Sequence, residues 1–184
     1  TDKCLIWNKD TKFIKKSILE NCYKLHGKAI VILGDSHAMN LFNIVSYSKS
    51  YPFVIGVSQG GCRPYNQRPF CHYENFNIFL KNFNNKIKNI VYHQSGSHFI
   101  MDENDDVDSQ FAFEGRFNSF NYKNIISVEN YLHNLSSKFD VNILWVGPFL
   151  EYRKIPEKEL FKKDFNFVNS ESIKIFNNLE KYIF

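Results

Sequence analysis

The sequence predicts an α/β fold, a parallel sheet covered by helices on both faces. Two observations carry this. Short β-branched and aliphatic runs recur at 29–33, 53–58, 88–93 and 141–146, and stretches with helical spacing alternate with them. Strands separated by helices favour right-handed crossovers, and crossovers of that hand lay helices on both sides of a sheet. No internal repeat and no domain-length linker interrupts the pattern, so residues 1–184 read as one domain.

The elements follow in order. Phe13-Ile14, Ile18 and Cys22 are spaced as on a helix, with Asp10 or Thr11 as its N-cap, so 1–27 reads as an N-terminal segment and helix. A strand at 29–33, a helix over 38–48, a strand at 53–58, a loop over 59–72, a helix over 73–84 and a strand at 88–93 come next. Residues 94–120 read as a long, irregular loop insert, a solvated lid or substrate-contacting loop. Ile125, Val128, Leu132, Leu135 and Phe139 mark an amphipathic helix before the strand at 141–146. The last residues, 172–184, read as a helix with no strand after it.

Composition excludes several classes. The net charge of +4 is spread along the chain, and no basic stripe interleaved with aromatics suggests nucleic acid. A mildly basic surface suits an anionic glycan or a lipid headgroup, and equally a solvated lysine surface. No apolar run approaches the ~20 residues that span a bilayer, and Thr1-Asp2-Lys3 is not followed by the apolar core of a signal peptide. Asp102-Glu103-Asn104-Asp105-Asp106-Val107-Asp108 alternates acids as a calcium loop does. However, Val107 stands where the turn needs glycine and Phe113 where a bidentate glutamate belongs, so no metal or cofactor is expected. Asn134-Leu135-Ser136 is a formal glycosylation sequon inside a helical pattern and carries no weight.

Gly34-Asp35-Ser36-His37 stands where the first strand gives way to a helix. That is the carboxyl edge of an α/β sheet, beside the free N–H groups of a helix N-terminus. Asp or Ser there is commonly a helix cap, and Ser36 is also placed as a nucleophile. Ile32-Leu33-Gly34-Asp35-Ser36-His37-Ala38, with Gly61-Cys62-Arg63-Pro64 after the next strand, resembles the SGNH (GDSL-like) hydrolase superfamily. It is most similar to the extracytoplasmic SGNH domain fused to acyltransferase-3 type membrane O-acyltransferases. The resemblance runs from about Cys4 to Phe149 and implies a three-layer α/β/α, flavodoxin-like fold. It implies Ser36 as nucleophile and Gly61 as oxyanion-hole donor, with Gly60 as competitor, and gives Gln94 or His93 the third donor position, where the family's asparagine is missing.

The family's base and its orienting acid come from an Asp-x-x-His near the C-terminus. No Asp in these 184 residues has a His three positions on, and no His follows His133. The expectation is a chain lacking its C-terminal strand and catalytic loop. Within the chain, His93 and His98 follow the third strand and are candidates for a base; His37, though adjacent to Ser36, is expected to pack or hydrogen-bond beneath the site.

Four cysteines allow three connectivities. The local pairing, Cys4–Cys22 and Cys62–Cys71, fits the family fold: one bond ties the N-terminal segment to the first helix, the other closes the loop beside the oxyanion donor. Disulfides imply an oxidising compartment, hence a periplasmic or extracellular domain, membrane-anchored in the full-length protein. The resemblance implies O-acetylation of a bacterial surface polysaccharide, lipopolysaccharide or O-antigen, through a serine acyl-enzyme. Its partners would be a glycan acceptor, an acyl donor and a membrane acyltransferase domain in the same polypeptide. The alternatives are a carbohydrate esterase of the same superfamily and a non-catalytic glycan-binding domain that has lost its base.

Overall fold

The computed structural model describes residues 4–65, 68–107, 116–147 and 170–183. The chain runs through β1 (Leu5–Asn8), α1 (Lys16–His26), β2 (Ala29–Gly34), α2 (Ser36–Ser48) and β3 (Val54–Ser58). It continues through α3 (Tyr73–Phe83), β4 (Ile87–His93), β5 (Ile100–Asp102), β6 (Phe117–Phe120), α4 (Tyr122–Phe139), β7 (Asn142–Trp145) and α5 (Ser170–Ile183). Residues divide into two compact units, Thr1–Gln94 with Ser127–Val146, and Ser95–Ile126 with Gly147–Phe184.

The first unit is built on a five-stranded sheet in the order β1-β3-β2-β4-β7, every neighbouring pair parallel. Every residue of β2 and β3 is buried, which is why these strands read as continuous apolar runs rather than alternating ones. Ile30 and Ile32 of β2 pack with Ala38 and Phe42 of α2 and with Val54 of β3. Gly56 makes room for Phe42: a Cβ there would lie 2.7 Å from its ring. Helices flank the sheet, as the three-layer expectation requires. After β3 the chain crosses over β2 to reach β4, so the order reverses between β2 and β4, the place where open α/β sheets hold their ligands.

Two sequence expectations need correction. The N-terminal segment is a strand before it is a helix: β1 pairs with β3 from Leu5↔Val54 to Asn8↔Val57. Four residues are too few for a period to show. Asp10 does cap a turn, but it is a short 3-10 turn over Thr11–Phe13, and α1 starts only at Lys16. Phe13, counted towards the helical stripe, is exposed. The 94–120 insert is also more ordered than expected. In the second unit β5 and β6 pair antiparallel, Ile100 opposite Phe120, and Phe120 and Tyr122 pack on Tyr182 of α5. The acidic run forms a turn in which buried Asp102 accepts the N–H groups of Asn104 and Asp106. Its Asp108 and Phe113, and the strand-to-tail residues 148–169, lie outside the described residues.

The remaining elements match to within two residues. Both disulfides are the local pairs, Cys4–Cys22 and Cys62–Cys71, and the described residues hold no free cysteine.

Candidate active site

Register brings three strand ends level. Gly34, the last residue of β2, is paired with Ser58 of β3 on one side and with His93 of β4 on the other. The residues that follow each strand therefore leave the sheet together: Asp35-Ser36-His37, Gln59-Gly60-Gly61 and Gln94. Gly34 has φ +149°, and a Cβ on it would stand 1.8 Å from the His93 carbonyl oxygen. Only glycine permits that approach.

Asp35 is fully buried and caps α2, one carboxylate oxygen accepting the His37 N–H at 2.9 Å. Ser36 is the first helical residue and half-buried. Its backbone N–H belongs to the first turn, whose donors have no acceptor within the helix. The capping role thus falls to Asp35, and Ser36 stands at the mouth of the helix.

Beyond β3, the Cys62 N–H donates to the Gln59 carbonyl at 3.1 Å, closing a four-residue turn with Gly61 at φ +77°. That is the position where a type II turn needs a positive φ. Gly60 has no such requirement, which distinguishes the two glycines. The Gln59 N–H donates to the Gly34 carbonyl at 3.4 Å, tying the start of this turn to the end of β2. Behind it, the Cys62–Cys71 bond closes the loop and the Tyr73 hydroxyl donates to the Cys62 carbonyl at 3.1 Å.

Arg63 supplies a link that sequence reading missed. It is buried, and its Nη2 lies 3.1 Å from the second carboxylate oxygen of Asp35. Its Nη1 donates weakly, at 3.5 Å, to the Gly61 carbonyl. The only signal in the sequence was an arginine inside a loop expected to flank the site.

On the β4 side, His93 is fully buried and its Nδ1 lies 3.3 Å from the Val146 carbonyl, as a donor when that nitrogen carries the proton. Burial pushes its pKa down and the neighbouring His37 adds to that, against the Val146 bond and the Asp35 charge, so the neutral imidazole is favoured. The His37 ring is half-buried and stands edge-on to it at 5.8 Å. Gln94 is buried and held at both ends: its Oε1 accepts the Tyr92 hydroxyl at 2.5 Å and its Nε2 donates to the Tyr65 hydroxyl at 3.1 Å. Burial first, and then nearby Tyr73, Tyr65 and Asp35, push the Tyr92 pKa well up, so its hydroxyl keeps the proton it donates. His98 belongs to the second unit, where its carbonyl accepts the Asn124 side chain at 3.0 Å.

A serine at a helix mouth, flanked by a fixed glycine turn and by the uncommitted N–H of the helix start, has the parts of acyl chemistry. No group of three or more potential metal ligands occurs among the described residues. No curated protein and no solved structure matches the chain. The family model for the SGNH domain (fused to AT3 domains), however, matches residues 3–179. A match over that span means that the chain belongs to the SGNH domains found fused to AT3 domains, within a hydrolase superfamily of acyl-transfer and esterase chemistry.

Proposed function

We propose that Ser36 is the nucleophile of an acyl transfer to a bacterial surface polysaccharide or lipopolysaccharide, by O-acetylation. The observation that carries this is the position of Ser36 as the first residue of α2, at the reversal point between β2 and β4. Ser36 Oγ attacks the acyl carbonyl, the acyl–oxygen or acyl–sulfur bond of the donor breaks, and a sugar hydroxyl takes the acyl group in a second step. The oxyanion formed in each step is held by the N–H groups of Ser36 and Gly61, with the braced Gln94 amide as a third donor. The acyl donor arrives from a membrane acyltransferase domain in the same polypeptide, and the two disulfides suit a periplasmic or extracellular setting. Release to water instead of sugar would make the same acyl-enzyme an esterase.

A second reading, a non-catalytic glycan-binding domain, applies if the full-length polypeptide carries no Asp-x-x-His. The two readings separate in the full-length polypeptide. Ser36→Ala is expected to lower polysaccharide O-acetylation, read by proton NMR of the purified glycan, by roughly a thousandfold or more. Unchanged acetylation, together with glycan binding seen by calorimetry, would select the glycan-binding domain.

A further inference from the structure

Asp35 divides its two oxygens between two elements: one caps the helix that begins at Ser36, the other holds Arg63. Arg63 lies two residues past Gly61 and reaches back to the Gly61 carbonyl. Both side chains are almost wholly buried, 0% and 6% exposed, so water does not screen the pair. The strands alone fix only the start of the Gly61 turn, through Gln59 and Gly34. The Cys62–Cys71 bond and Tyr73 hold its far side to the loop and α3. The Asp35–Arg63 pair is a buried side-chain tie that joins this turn to the start of α2.

We infer that Arg63 is a positioning residue: it clamps the Gly61 turn onto the helix start that carries Ser36, and so sets the distance between nucleophile and oxyanion donor. This rests on the reading of Ser36 as nucleophile. A misplacement of about 1 Å in such a pair costs about a hundredfold in rate. A loss confined to the transition state lowers the maximal rate and leaves the half-saturating concentration nearly unchanged.

The test uses the full-length polypeptide and a fluorophosphonate probe, in which Ser36 Oγ displaces fluoride from phosphorus. Arg63→Met is expected to lower the maximal labelling rate of Ser36 about a hundredfold, with the half-saturating probe concentration changed less than about threefold. Arg63→Lys, which keeps a cation on a similar stem, is expected to recover at least about a tenth of the wild-type rate. Asp35→Asn with Arg63→Met removes both buried charges while keeping a helix cap. It protects the fold and is expected to stay slow because the tie is gone. Amide hydrogen exchange is measured on the same proteins. Residues 59–63 and 36–39 are expected to exchange at least about tenfold faster in Arg63→Met than in wild type, with β2 and α4 unchanged. Wild-type labelling rates in the double variant, or unchanged exchange over 59–63 in Arg63→Met, would overturn the clamp. Should the wild type itself resist labelling at Ser36, the nucleophile reading fails, and exchange alone decides whether the clamp exists.

Discussion

Gly34 and Gly61 are both glycines with positive φ, yet the same substitution is expected to do different things at each. At Gly34 an added methyl would sit 1.8 Å from a backbone carbonyl that cannot swing away without breaking the last β2–β4 pair. Gly34→Ala is expected to cost about 3 kcal/mol or more, read from the urea midpoint. At Gly61 the methyl meets nothing nearer than the Arg68 guanidinium at 3.5 Å, so only backbone strain remains. Gly61→Ala is expected to cost about 1–2 kcal/mol. A third expectation concerns acid. The folded His93 pKa lies below its ordinary 6.5, chiefly through burial, so below pH 6.5 the unfolded chain binds the proton more readily. Its contribution to stability is complete above pH 6.5 and is lost as pH falls through the lowered folded value. A melting curve series across this range is expected to fall, and His93→Gln to flatten the fall. At this scale the sequence was legible where type and position coincide, as at Asp35, which caps α2. It was silent on Arg63, whose partner stands 28 residues earlier and is brought near only by the pairing of β2 with β3.

Among the elements, legibility followed length. α4 has 18 residues and a regular apolar stripe, so its helix could be read directly. β1, with four residues, and β5, with three, offer no period to read. Each depends on a partner far along or later in the chain. The cysteines supplied what periodicity could not, since local pairing placed both constraints correctly. Closing an 18-residue loop constrains the unfolded chain by about 3 kcal/mol and a 9-residue loop by about 2.5 kcal/mol. Replacing Cys4 and Cys22 by serine is therefore expected to lower stability slightly more than replacing Cys62 and Cys71. The second pair has the opposite rank for function: its loss is expected to loosen the Gly61 turn and slow Ser36 labelling, whereas loss of the first leaves labelling unchanged. Denaturation and labelling of the two double variants check both rankings.

For the molecule as a whole, alternation of strand and helix was enough to give the class and the parallel sense of the sheet. Strand order was not, because a list of strands does not say which crossover reverses. That reversal between β2 and β4 is what collects residues from three separate strand ends at one edge. The site was therefore legible as a set of separate motifs, and its assembly required the fold. No described helix is long and apolar enough to cross a membrane.

The edge strand has a consequence for how the chain reaches this state. Leu5 must find Val54, 49 positions downstream, which in a free chain is a slow, long-range search. Cys4 and Cys22 lie only 18 positions apart, so their bond can form before β3 has joined the sheet. Once formed, it pins β1 to α1 and shortens the chain that the later search must close. An oxidised chain should then complete its sheet faster than a reduced one, because its edge strand is already held beside α1.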